Sequence, residues 1–126
     1  MNILFIDHYA GAPQYGISVK HITLIPPIGY FDMIYLQEHC SAIFTDSGGV
    51  QKEAYFFQKP CITLRDETEW TELVKHGVNQ LVGADQEKIL CAEQYFRNHP
   101  LSFDQPLYGD GHAGEKIVKY LIEGLS

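Results

Sequence analysis

Apolar and polar positions along this chain alternate between two periods, short runs at strand spacing and longer stretches at helical spacing. The opening Asn2-Ile3-Leu4-Phe5-Ile6-Asp7 predicts a strand, and Ala10-Gly11-Ala12-Pro13 begins a turn-rich segment reaching Gly16. Ile22-Thr23-Leu24-Ile25 predicts a second strand, closed by Pro26-Pro27, which has no N–H to give a ladder. From Tyr30 to His39, Phe31, Ile34, Tyr35 and Leu36 fall close to helical spacing. A strand over Ala42–Thr45 follows, then a helix from Val50 to Gln58 that stops at Pro60. Cys61-Ile62-Thr63-Leu64 is the next strand, and Thr68 to His76 the next helix, with Gly77 as its C-terminal cap. Gln80-Leu81-Val82 is a short strand, after which Asp85 caps a helix to Asn98. Residues 99–112, with Pro100 and Pro106, read as loop, and a last helix over Ala113 to Glu123 turns Ile117, Val118, Tyr120 and Leu121 toward a core.

Short strands separated by helices over most of the length predict an α/β fold with a parallel sheet and flanking helices. One stretch breaks the alternation. Between Pro13 and His21 no helix-length pattern joins the strand at 2–7 to the strand at 22–25. Parallel neighbours need a crossover of about a dozen residues or more. Either these two strands are not adjacent, or the N-terminal piece has a different origin, which sets a boundary between 1–20 and 21–126.

Bulk properties narrow the function. A chain of 126 residues holds one domain with a modest core. No apolar run approaches the ~20 residues that span a bilayer, and the N-terminus lacks the basic, long apolar pattern of a secretory signal. A cytoplasmic protein without a membrane partner is expected. The net charge of −7, with arginine only at 65 and 97, excludes the basic face that nucleic-acid binding uses. Cys40, Cys61 and Cys91 are widely spaced with no CxxC, so reduced thiols are expected and no metal site.

The chemistry concentrates in Thr45-Asp46-Ser47-Gly48-Gly49-Val50-Gln51-Lys52-Glu53. An apolar strand feeding a Gly turn and a helix N-terminus is a natural holder of anions, because the first helical N–H groups point outward and the macrodipole adds positive charge. Glu53, four residues past Gly49, reaches sugar hydroxyls from one helical turn in. A plain βα turn with Ser47 as N-cap would give the same pattern. At the same carboxyl edge, where open α/β sheets bind ligands, Leu64-Arg65-Asp66-Glu67-Thr68-Glu69-Trp70 follows the next strand. Arg65 can offer a bidentate fork to phosphate, or pair with Asp66 to position the loop. Tyr108-Gly109-Asp110-Gly111 repeats the Gly-turn-then-helix order before the last helix.

Pro27-Ile28-Gly29-Tyr30, the 45–54 segment, Lys59-Pro60, Leu64 to Glu69, Leu81-Val82-Gly83 and Tyr108 to Gly111 occur in order and in register. Over residues 21–122 the chain strongly resembles the C-terminal half of the non-hydrolysing UDP-N-acetylglucosamine 2-epimerases. The resemblance implies a Rossmann-like sheet, a partial copy of one domain of a two-domain glycosyltransferase-B-like fold. It implies UDP or a UDP-N-acetylhexosamine as ligand and no cofactor. Ser47, Gly48 and Gly49 would hold the diphosphate and Glu53 the ribose hydroxyls. The stretch from Ile28 to Met33 would lie near the uracil, with Arg65 and Asp66 shaping the same edge. Trp70 stands where many members carry arginine, so it packs or stacks rather than bringing a basic contact.

In that family C2 inversion of the amino sugar resembles elimination of UDP to a glycal, then re-addition. Its acid–base groups come mostly from an N-terminal domain whose motifs are missing here. None of His8, His21, His39, His76, His99 and His112 lies in a matching context, so no catalytic residue is assigned. Residues 1–16 instead resemble the opening strand and loop of a nucleotide-sugar glycosyltransferase. The expectation is a UDP-sugar-binding domain that is not catalytic alone. A split epimerase completed by a separate N-terminal-domain chain, a glycosyltransferase fragment and a degenerate domain without ligand are the alternatives. An incomplete sheet should also leave apolar surface open to self-association.

Overall fold

The computed structural model describes residues 2–6 and 21–125. The turn-rich segment at 10–16, the missing crossover, the glycosyltransferase-like loop with His8 and the 20/21 boundary fall outside or at the margin of these residues. Among the described residues the elements run β1 (Ile3–Ile6), α1 (Tyr30–His39), β2 (Ala42–Thr45), α2 (Gly48–Phe56), β3 (Cys61–Thr63), α3 (Thr71–Lys75), β4 (Asn79–Leu81), α4 (Gln86–Asn98) and α5 (Ala113–Gly124).

The four strands form one parallel sheet in the order β1-β2-β3-β4. Their registers explain how one short strand serves two layers. Ile43 lies beside Cys61, and Phe44 beside Ile62, so successive residues face opposite sides. Ile43 and Cys61 pack with Cys40, Ala54 and Val50 under α2. Phe44 and Ile62 pack with Val82, Ala92 and Phe96 under α4. Strands covered on both faces read as continuous apolar runs, as Ala42-Ile43-Phe44 does. A third cluster, around Tyr55, Leu73 and Val78, is closed by Trp70, Phe103, Leu107 and Tyr108 from the loops. The phenol of Tyr55 donates to Gln105 O and accepts from Leu107 N at 3.1 Å, which ties the 99–112 loop to α2.

Helix ends follow local chemistry. Asp85 caps α4, its side chain accepting from Lys88 N at 3.1 Å. Gly77 ends α3 at φ +81°, with Gly77 N bonded to Val74 O and Val78 N to Leu73 O, a Schellman closure. Helix α2 ends the same way at Gln58, φ +57°, with Gln58 N bonded to Tyr55 O and Lys59 N to Ala54 O. Left-handed backbone at a residue with a Cβ is strained, so the turn into Pro60 is made at some cost.

Two expectations are overturned. Ile22-Thr23-Leu24-Ile25 forms no strand: it has no ladder partner among the described residues, and Ile22, Leu24 and Ile25 are exposed. β-prone composition alone does not make a strand: without ladder hydrogen bonds to either outer edge of the sheet the segment stays outside it. Helix α5 forms as expected, but Ile117, Val118, Tyr120 and Leu121 do not face a core; all four are more than half exposed. The apolar stripe is present, yet no described element covers it. Smaller shifts affect α2, which begins at Gly48 rather than Val50, and α3, which begins at Thr71 rather than Thr68.

Candidate functional site

Strand β2 delivers Thr45 to the carboxyl edge of the sheet, and α2 starts three residues later. Ser47 occupies the N-cap position in extended backbone, but its side chain makes no capping bond. The turn is held instead by Ser47 N donating to Thr45 Oγ1 at 3.0 Å. The Ser47 side chain therefore leaves the first N–H groups of α2 uncapped by its own hydroxyl, an arrangement that suits an anion at a helix N-terminus.

Gly48 is where a second loop comes closest. A Cβ there would overlap Glu69 Oε1 and lie 3.6 Å from Arg65 Nη1. Arg65 and Glu69 pair at 3.1 Å, so the alternative partner Asp66 is not the one Arg65 takes. Asp66 sits instead against Gly83, whose backbone has φ +56° and where a Cβ would come within 2.5 Å of Asp66 Oδ1. Trp70 packs: its indole N–H donates to Gly48 O at 2.8 Å, and its ring meets Tyr108 edge-on. Lys52 Nζ lies 4.8 Å from the Trp70 ring centre and 4.5 Å from that of Tyr108. Burial and the neighbouring Glu72 carboxylate push the Tyr108 phenol well above its ordinary value, so it stays neutral.

Beneath the turn lies a buried polar cluster. Gln51, fully buried, accepts from Thr68 Oγ1 at 2.6 Å and from Asn79 Nδ2 at 3.0 Å, and donates to Ser47 O at 3.2 Å. Thr63 Oγ1 in turn donates to Asn79 Oδ1 at 2.6 Å. One glutamine thus ties the Gly turn, the Arg65 loop and β4 together, and a satisfied network of this kind fixes relative position.

Ser47, Gly48, Gly49 and Arg65 are therefore brought together at one edge. Glu53 lies farther along α2, half-buried, and accepts from Gln37 Nε2 of α1 at 2.7 Å. Ile28 and Met33 flank the start of α1, both half-buried, with Met33 N bonded to Gly29 O. A helix of 10 residues spans about 15 Å and leads back into β2 at its C-terminal end, so its start returns toward the carboxyl edge. No described contact joins Ile28 or Met33 to the Gly turn directly. Gln51, Lys52 and Glu69 lie inside the two motif segments, which give them no role, and Gln37 lies outside both. The one available signal was a polar residue at a helix position framed by apolar ones, as with Gln37 beside Leu36. Among the described residues no group of three or more His, Cys, Asp or Glu is placed to hold a metal, and no helix is long and apolar enough to cross a membrane.

Residues 6–122 match the family described as UDP-N-acetylglucosamine 2-epimerase. The chain is 47% identical over 108 residues to the UDP-2,3-diacetamido-2,3-dideoxy-D-glucuronate 2-epimerase of Pseudomonas aeruginosa, covering 86% of this chain and 30% of that protein. It is 44% identical over 107 residues to the UDP-N-acetylglucosamine 2-epimerase of Methanocaldococcus jannaschii, covering 85% of this chain and 29% of that protein. The crystal structure of UDP-GlcNAc 2-epimerase from M. jannaschii in complex with UDP-GlcNAc and UDP superimposes with a TM-score of 0.77 at 39% identity, covering 89% of this chain and 32% of that one. The chain thus spans about 30% of the length of the relatives it matches. By its matched residues, its parallel sheet and the Gly turn at its carboxyl edge, this chain belongs to the UDP-N-acetylglucosamine 2-epimerase family.

Proposed function

We propose that this chain is the UDP- or UDP-N-acetylhexosamine-binding part of an epimerase of this family, acting in the cytoplasm on precursors of cell-surface polysaccharide, and that it is not catalytic alone. The observation that carries the reading is Gly48: it opens a helix whose N-cap Ser47 makes no side-chain bond, and a Cβ placed on it would lie 3.6 Å from Arg65 Nη1. A diphosphate there would meet the amides of Gly48 and Gly49 and the guanidinium of Arg65, with Ser47, whose own N–H is held by Thr45 Oγ1, contributing its hydroxyl. Glu53 would take the ribose hydroxyls, and the Ile28–Met33 stretch would border the uracil. The likeness to a structure solved with UDP-GlcNAc and UDP supports the same ligand class.

Epimerisation at C2 needs an acid and a base around the sugar ring. Neither the Gly turn nor the Arg65 loop presents a histidine, and Glu69 is engaged with Arg65. Calorimetric titration with UDP, weakened by Glu53→Ala, tests the binding half. Absence of solvent deuterium at C2 of UDP-N-acetylglucosamine incubated with the chain tests the other, and incorporation by the purified chain would overturn it.

A second reading, a split enzyme whose N-terminal domain comes from another chain, is favoured by the uncovered stripe of α5, with Val118 54% and Tyr120 73% exposed. Neighbouring reading frames that encode such a domain, and epimerase activity on mixing, would support it. Self-association of the chain through α5 is the competing use of that stripe, and sedimentation separates the two. The same survey of reading frames tests the proposal that residues 1–20 have a different origin from 21–126.

A further inference from the structure

Gln37 is fully buried on α1, yet it is polar and only half satisfied. Its Nε2 donates to Glu53 Oε2 at 2.7 Å, while its Oε1 has no hydrogen-bond partner among the described residues. A methionine or leucine would fill the same space with no orphaned acceptor. The orientation of the amide follows from its neighbour: turned over, it would aim Oε1 at a carboxylate oxygen. What glutamine supplies at this position is one N–H aimed at Glu53 from a rigid element.

We propose that Gln37 is the positioning residue for Glu53, holding one carboxylate oxygen so that the other faces the ribose hydroxyls of the nucleotide. The inference rests on the UDP reading above and deepens it. A glutamate on a free rotamer must be ordered when ligand binds, whereas one pinned by a buried donor is ordered beforehand. The hydrogen bond crosses from α1 to α2, so it also fixes the spacing between the uracil side and the diphosphate side of the site.

The test is a double-mutant cycle read with two nucleotides, UDP and 2′,3′-dideoxy-UDP, by calorimetry. Gln37→Met should shift the melting temperature by no more than a few degrees, because removal of the orphaned acceptor offsets the donor lost to Glu53, whose half-buried carboxylate keeps access to water. It should weaken UDP about tenfold and dideoxy-UDP less than about twofold. In the Glu53→Ala background the same substitution should change UDP affinity less than about twofold. Equal loss for both nucleotides, or a tenfold loss persisting without Glu53, would overturn the proposal and leave Gln37 a packing residue. Should Gln37→Met fail to fold, Gln37→Leu carries the same comparison. Wild-type chain that binds no UDP overturns the functional reading itself, a result distinct from UDP binding that depends on Glu53 but ignores Gln37.

Discussion

Gly48→Ala should separate binding from folding at the centre of the proposed site. The new methyl would overlap Glu69 Oε1, but that atom is the far end of a flexible side chain that is 50% exposed. Glu69 can swing away, and the cost is its 3.1 Å pair with Arg65, itself 35% exposed. A pair this open to solvent contributes about 0.2–1 kcal/mol. Alanine in place of glycine returns up to about 1 kcal/mol of helix propensity, less at the first helical position. The two terms nearly cancel, so stability should change by less than about 1 kcal/mol, a shift of about 4 °C or less in Tm. Binding has no such compensation. The methyl occupies the space a phosphate would approach, and Arg65 loses the partner that holds its fork beside the turn. UDP affinity should fall at least about tenfold, or 1.4 kcal/mol. Thermal melting by circular dichroism and UDP calorimetry on the same preparation give both numbers. Unchanged UDP affinity would refute the assignment of Gly48 to the diphosphate. A loss of several kcal/mol in stability would instead make Gly48 a packing glycine.

Further outcomes follow from the packing around the site. Gln51→Leu strands the Thr68 hydroxyl and the Asn79 amide and should cost about 2–4 kcal/mol in chemical denaturation. Gln58→Gly relieves left-handed backbone at φ +57° and should raise Tm by a few degrees, about 0.5–1 kcal/mol, provided the Schellman bonds persist. In the folded chain Cys91 should react rapidly with a disulfide reagent while buried Cys40 and Cys61 should not, one fast thiol of three. Burial pushes the Cys61 thiol from an ordinary 9.0 up to about 12, so the unfolded chain loses this proton first. Its contribution to stability is complete below pH 9 and declines as pH rises from 9 to about 12, which denaturation across that range would show.

Where local chemistry decides structure, the sequence was legible. Helix Tyr30–His39, strand Ala42–Thr45 and the Asp85 cap fall where spacing and side-chain type place them. Gly77 ends its helix because glycine tolerates the angle the closure needs, whereas Gln58 adopts the same angle with no composition signal to announce it. Thr68 and Trp70 fall inside the helix that spacing predicts, but their bonds to Gln51 and Gly48 draw them into the loop before it. Ile22-Thr23-Leu24-Ile25 has strand composition but joins neither outer edge of the sheet among the described residues, a fact about neighbours rather than residues. The same holds for α5, whose amphipathic pattern is plain while its covering is absent among the described residues. Of the site, the Gly turn and Arg65 were visible as motifs. The roles of Gln37 and of Gln51, though the latter stands inside the Gly-turn motif, were not, because buried amides are recognised by their partners across the fold and not by spacing along the chain.

The central claim is that a UDP ligand seats on the carboxyl edge between the start of α2 and the Arg65 loop. Titration of ¹⁵N-labelled chain with UDP, followed by amide chemical shifts, tests it most directly. The account predicts saturable shifts at Ser47, Gly48, Gly49, Val50 and Arg65, with Glu53 and Gln37 moving at the same concentrations. Shifts confined to the exposed stripe of α5, or no shift at any described amide at millimolar UDP, would contradict it.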